Sequence, residues 1–147
     1  MIKRKLVSLE DFHESAREKM TPAAWGYYEA GADSCSTSDR NSWAFGMYKL
    51  RQRVLQGNLI ERFDLSTEIF GKKVKSPIGI APTAMQRMAH PLGEVGAMRA
   101  AESRGMVYGL STLSNTKLEQ VATEAPTVPK IMQLYYFKTE KKNKEFL

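Results

Sequence analysis

From Pro77 onward the sequence alternates short apolar runs with amphipathic ones, and this constrains the fold more than any other feature. "IGIAP" precedes "GEVGAMRAAESRG", "VYGLST" precedes "KLEQVATEA", and "KIMQLYY" precedes "TEKKNKEFL". Strand–helix–strand order with short connections implies parallel pairing and right-handed crossovers. Parallel strands are covered on both faces, which accounts for continuous rather than alternating hydrophobicity. Three strands and two complete helices close nothing, so the pattern leaves a small open sheet or the first part of a larger barrel. The last segment starts to build an apolar face at Phe146-Leu147 just as the sequence stops, and the chain therefore reads as truncated.

Residues 1–76 read as a preamble of helices and a hairpin, ahead of the β/α units at 77–147. Ser8 followed by Asp11 resembles a capping box with an acid in place of the usual Glu or Gln. Leu9, Phe12 and Ala16 at helical spacing predict a helix over 9–19. Thr21-Pro22 is a start signal for a second helix, "AAWGYYEAG", which stops at Gly31. Ser36-Thr37 opens a third, with Trp43 and Phe45 available for packing. "KLRQRVL" looks extended, and "STEIFGKKVKSP" is a hairpin signal around Gly71-Lys72.

The length of 147 residues suits one ordinary domain, and 42% hydrophobic content is enough for a single core. The net charge of +6 is moderate and selects no partner class by itself. The tail "KTEKKNKEF" holds four lysines against two glutamates and reads as a solvated helix face, with no recognised nucleic-acid module. A single cysteine, Cys35, allows no internal disulfide and points to a reducing, intracellular setting. No run reaches the length of a membrane span, and neither a secretory signal nor a simple carboxy-terminal address is present. No metal-ligand set is expected.

Ligands of α/β folds bind at the carboxyl ends of the parallel strands. Here those ends are Ala81-Pro82-Thr83-Ala84, Leu110-Ser111-Thr112 and Gln133-Leu134-Tyr135. The first runs into a small, nearly charge-free loop, as though something flat and apolar lies against it. Ile131, Gln133 and Tyr135 share one strand face, and Met132, Leu134 and Tyr136 the other. A buried amide or hydroxyl without a partner costs roughly 1–3 kcal/mol. Two readings stay open: the polar groups bond to neighbouring backbone, or a ligand edge satisfies Gln133, Ser111 and Thr83 together.

"PIGIAPTAMQRMAHPLGE", "RAAESRG", "LSTLSN", "LEQVA" and "QLYYFK" together resemble the FMN-dependent α-hydroxy acid oxidases, the group that includes glycolate oxidase and other (S)-2-hydroxy-acid oxidases. Upstream, "YYEAGADSCSTSDRNSWAF" and "DLSTEIFGKKVKSPI" are similar to the same family's amino-terminal segment and hairpin. The resemblance runs from about residue 9 to 138. It implies an incomplete (β/α)8 TIM barrel in which this chain supplies the helices, the hairpin and strands one to three. It implies FMN as cofactor, with Pro82, Thr83 and Ala84 along the flavin ring and the Ala84 amide near its reactive nitrogen. Ser111 and Gln133 would hydrogen-bond the ring's polar edge, and Tyr135 would reach the substrate side. Tyr27 would donate to the substrate carboxylate, though as an aromatic in an amphipathic helix it also reads as packing.

The implied reaction converts a small (S)-2-hydroxy acid to the 2-oxo acid with reduction of O2 to H2O2. The family's catalytic histidine, arginine and phosphate-binding loops lie late in the barrel. Of this chain's histidines, His13 reads as exposed and His90 as structural, so the isolated chain is expected to be inactive. The alternative is a non-catalytic fragment acting as a protein-interaction module. Full-length relatives imply a homo-oligomer and a peroxisomal setting. Three departures stand out: Gln52 in place of proline, Leu113 in place of an aromatic near the substrate, and Thr139 in place of Asp. The second puts glycolate in doubt and leaves room for a longer hydroxy acid.

Overall fold

The computed structural model describes residues 5–55 and 63–146, the Phe146 side chain excepted. The apolar face expected of Phe146-Leu147 therefore lies outside the described residues. The chain falls into two compact units, Met1–Arg62 and Phe63–Leu147.

The first unit is helical. α1 (Leu9–Lys19) opens on a complete capping box: the Asp11 N–H donates to Ser8 Oγ at 3.2 Å, and the Ser8 N–H donates to Asp11 Oδ2 at 2.9 Å. The shorter acid thus does the work of the usual Glu. α2 (Pro22–Glu29) starts as expected, with Thr21 Oγ1 accepting from the Ala24 N–H and proline at the first position. It ends at Glu29, two residues before Gly31, because Ala30 turns to an extended conformation. α3 (Ser36–Trp43) is not capped by Ser36 or Thr37. Cys35 takes a left-handed backbone (φ 60°) and its carbonyl accepts from the Asp39 N–H. A 3-10 turn, Ala44–Met47, follows. Trp43 and Phe45 are exposed rather than packed, and Ala24 is the one buried apolar residue among the unit's described residues. The stretch 49–55 pairs with no strand among the described residues and ends in a turn with Leu55 at φ 61°.

The second unit begins with the hairpin of β1 (Thr67–Ile69) and β2 (Lys72–Val74), paired antiparallel. Its turn residues are Phe70 and Gly71, both at positive φ, one position earlier than the sequence suggested. Positive φ at both positions matches the twist of the flanking strands. The three parallel strands are β3 (Gly79–Ile80), β4 (Val107–Leu110) and β5 (Lys130–Met132), in spatial order β3-β4-β5. α4 (Gly93–Arg104) and α5 (Leu118–Glu124) make the crossovers, and α6 (Glu140–Phe146) follows β5. Gly105 ends α4 with φ 63°, a left-handed cap that its missing side chain permits.

The strands are shorter than the apolar runs that encode them. β3 stops after Ile80 because Pro82 has no N–H for the ladder and its ring seats against Gly109. A Cβ on Gly109 would lie 2.7 Å from Pro82 Cδ, so glycine at 109 is what lets Pro82 sit there. β5 makes one more bond, from the Gln133 N–H to the Leu110 carbonyl, then loses its neighbour where β4 ends. The parallel pairing is as the alternation predicts, but the strands form an open three-stranded piece with two edges rather than a closed barrel.

Both crossovers run the same way, so α4 and α5 pack on each other and on one face of the sheet. Tyr108 and Leu110 point into that layer and form the core with Met98, Ala101, Val121, Ala125 and Val128. Strand alternation sends Val107, Gly109, Ser111, Ile131 and Gln133 to the other face. The expectation of helices on both faces is thus met on one only.

Candidate functional site

The carboxyl ends of β4 and β5 are tied together by Gln133. Its Oε1 accepts from Ser111 Oγ at 3.1 Å and from the Thr112 N–H at 3.2 Å. A backbone N–H can only donate, which fixes the amide orientation: the oxygen faces β4 and the Nε2 faces away. Thr112 Oγ1 donates to the Gln133 carbonyl, and the Leu113 N–H donates to Ser111 Oγ at 3.1 Å. Ser111 is buried and fully engaged, whereas Gln133 is half-buried, and its Nε2 has no protein partner among the described residues. The arrangement therefore offers two N–H donors for an acceptor-bearing edge.

At the end of β3, Pro82 and Thr83 are exposed and Ala84 is half-buried. Thr83 Oγ1 donates to the Ala81 carbonyl two residues back. The Thr83 and Ser111 hydroxyls and the Gln133 oxygen thus already have protein partners, and the Gln133 Nε2 has none among the described residues. Met85 adopts a left-handed backbone (φ 53°), and its N–H donates to the Leu113 carbonyl at 3.2 Å, joining this loop to the one after β4. A short 3-10 turn, Gln86–Met88, follows.

Beneath both loops lies a buried carboxylate that sequence reasoning missed. Glu94, in the first turn of α4, is completely buried. Its Oε1 accepts from the Gln86 N–H at 3.1 Å and the Asn115 N–H at 3.0 Å, and its Oε2 accepts from Thr116 Oγ1 at 2.7 Å. Burial pushes the carboxyl up. The Asn115 N–H, the Thr116 hydroxyl, its own N–H and the Gln86 N–H outweigh that and hold it below the usual carboxylate range. Gln86 carries the connection onward, its Nε2 donating to the Thr83 carbonyl at 3.1 Å and to Tyr108 Oη at 3.2 Å. Burial raises the Tyr108 phenol, opposed by the Gln86 bond and reinforced by the Glu94 charge. The signal for Glu94 was present: an acid in the first turn of a helix, where the dipole favours it, inside an otherwise apolar face.

The remaining predicted residues lie each within its own unit, Tyr27 and His13 in the first, Tyr135 and His90 in the second. Tyr135 lies past the end of β5 and is 44% exposed. Tyr27 sits on α2 in the first unit, with its ring edge-on to Tyr28 at 5.1 Å. His13 bonds to Glu29 at 2.9 Å with its ring tilted at 58° to Trp25, and that carboxylate raises its pKa. His90 accepts from the Leu92 N–H through Nδ1 at 3.2 Å in the loop before α4. On α6, Lys144 and Lys141 pair with Glu140 and Glu145, as a solvated face should. Asn143 is the exception there: it is buried and grips the Phe137 backbone through both its Oδ1 and Nδ2. No group of His, Cys, Asp and Glu among the described residues could hold a metal ion.

A planar ring with a hydrogen-bonding edge suits this geometry. Small exposed residues end β3, Gly109 removes bulk beside Pro82, and the Gln133 donors stand at the same end of the sheet. A family profile described as FMN-dependent dehydrogenase matches residues 16–147. The bovine protein named 2-hydroxyacid oxidase 2 (Bos taurus) is 38% identical over 142 residues, covering 97% of this chain and 40% of that protein. Maize (Zea mays) glycolate oxidase 1 is 35% identical over 136 residues, covering 92% of this chain and 36% of its own length. A mandelate oxidase crystal structure superposes with a TM-score of 0.82 at 29% identity, covering 96% of this chain and 41% of the other.

Proposed function

Because the chain belongs to the FMN-dependent dehydrogenase family, we propose that it supplies the cofactor-flanking first part of a 2-hydroxy-acid oxidase. On this reading the three parallel strands are the start of a (β/α)8 barrel. When bound, FMN would take the two electrons lost as a small (S)-2-hydroxy acid becomes the 2-oxo acid, and O2 would leave as H2O2. Pro82, Thr83 and Ala84 flank the ring, where small side chains permit close approach. Gln133 donates through Nε2 to the ring's polar edge, and Ser111 holds the Gln133 amide in that orientation. Tyr135 and Tyr27 serve the substrate side, Tyr27 by donating to the carboxylate. The whole protein is a peroxisomal homo-oligomer on the same reading, with no nucleic-acid partner.

The observation that carries this proposal is the Gln133 amide, its oxygen doubly occupied and its nitrogen without a protein partner among the described residues. On this reading neither histidine is the base, which the family resemblance puts late in the barrel; His13 bonds Glu29 in the first unit and His90 bonds its own loop. The 147-residue chain alone is therefore expected to bind without turnover. The test is incubation with FMN, desalting and an absorbance scan of the folded chain. Retained flavin supports the proposal, and a folded sample without flavin overturns it. Peroxide formed from glycolate by the chain alone would contradict the expected inactivity.

A second reading, a non-catalytic interaction module, draws on one observation. β3 and β5 are both sheet edges among the described residues, and Ile78, Leu134 and Tyr136 beside them are exposed. Open edges with apolar neighbours promote association. Elution as a monomer at micromolar concentration in size-exclusion chromatography would remove that support.

A further inference from the structure

We propose that Glu94 is the positioning residue of this site, its carboxylate holding the loops after β3 and β4 as one hydrogen-bonded unit. It touches neither loop's ligand-facing side. It acts by accepting the Gln86 N–H of one loop and the Asn115 N–H of the other on a single oxygen, while the second oxygen takes the Thr116 hydroxyl. Everything further out hangs from these bonds. Gln86 fixes the Thr83 carbonyl. Asn115 Oδ1 accepts from the Arg87 N–H, a second tie back to the first loop. The Leu113 carbonyl takes the Met85 N–H, and the Leu113 N–H donates to Ser111 Oγ, which in turn orients Gln133. One carboxylate is thus connected, through hydrogen bonds and the short stretches of loop backbone between them, to Thr83, Ser111 and Gln133.

An apolar side chain cannot replace it, because three donors from two separate loops converge on the group and would lose their acceptor. An amide keeps one oxygen for the two backbone N–H groups and can turn its Nε2 toward the Thr116 hydroxyl, which then accepts, so Glu94→Gln is the conservative variant.

The consequence for flavin rests on the oxidase reading, whereas the clamp can be measured without flavin. Backbone amide exchange in the full chain compares wild type with Glu94→Leu, which removes both acceptor oxygens at similar volume. Protection at Gln86 and Asn115 should fall about tenfold or more, while Met98 and Ala101 in α4 keep theirs. Unchanged protection at Gln86 and Asn115 overturns the proposal, as does an equal loss throughout α4, which would mark a merely structural residue. Thr116→Val removes one donor and leaves the charge, so it covers the case in which Glu94→Leu does not fold. Loss confined to the two loops supports the clamp, and no loss overturns it. In parallel, FMN fluorescence quenching should show about tenfold weaker uptake by Glu94→Leu. Equal uptake by both proteins overturns the positioning role. A wild type that takes up no FMN overturns the oxidase reading instead, and the exchange result then decides the clamp by itself.

Discussion

The two units of this chain are built on different principles. In Met1–Arg62 the helices are well started, by a capping box at Ser8 and a Thr-Pro signal at Thr21, yet one apolar residue, Ala24, is buried among the described ones. In Phe63–Leu147 the strands are only two to four residues long, yet they stand on a shared core from Met98 to Val128. The contrast teaches that local chemistry and tertiary burial are separable sources of order. Caps decide where a helix starts, and burial decides how strongly it resists unfolding.

The comparison can be broken most forcefully in the core. Met98→Ala deletes a fully buried side chain, and such deletions cost about 2–5 kcal/mol. Both tryptophans, Trp25 and Trp43, lie in the first unit. Urea titration followed by far-UV circular dichroism should therefore lose much of the second unit's transition while tryptophan fluorescence shifts little. A shift of equal size in both signals would show that the units unfold together.

Titration separates the units by sign. Glu94 and Glu102, both in the second unit, have depressed pKa values. For Glu102 the cause is the Thr127 hydroxyl and N–H it accepts from. A depressed carboxyl contributes stability that is present above its ordinary value of 4.5 and is lost as pH falls through the lower, folded value. His13, in the first unit, is raised by Glu29. Its contribution is present below the ordinary value of 6.5 and is lost as pH rises through the folded value. Acid should weaken the second unit first, and mild alkali the first. Thermal melts across pH with the two optical probes would check this, and parallel pH profiles for both would contradict it.

Ser8→Ala should cost about 1 kcal/mol, confined to the first unit, because it removes an N-cap and nothing from any core. Loss of helical signal without a change in the second unit's transition is the expected reading. Smallest of all, Arg99→Gln breaks the pair with Glu124 on the surface of α4 and α5, a change of about 0.2–1 kcal/mol that salt should screen. A larger loss would mean that the helix layer depends on charge as well as on Met98 and Val121.

Much of this architecture was legible in the sequence because its signals are local. Ser8-Asp11, Thr21-Pro22 and the alternation after Pro77 each predict an element from its own residues. The misreadings arose where a neighbour decided the outcome. β3 is cut short by Pro82 seating on Gly109, and β5 by the end of β4. Cys35 rather than Ser36 turns the chain into α3. At the candidate site, Ser111 and Gln133 could be named from the strand ends, but their bond to each other could not. Glu94 was missed because one acid in a helix reads as solvated until three donors from two distant loops are seen to meet on it.

The seating of Pro82 on Gly109 has a consequence for descent. The constraint runs one way: a side chain at 109 collides with the proline ring, whereas Pro82 itself is exposed and its loss removes the collision. Lineages with a bulkier residue at 109 should therefore carry a change at 82 or a shifted loop after β3.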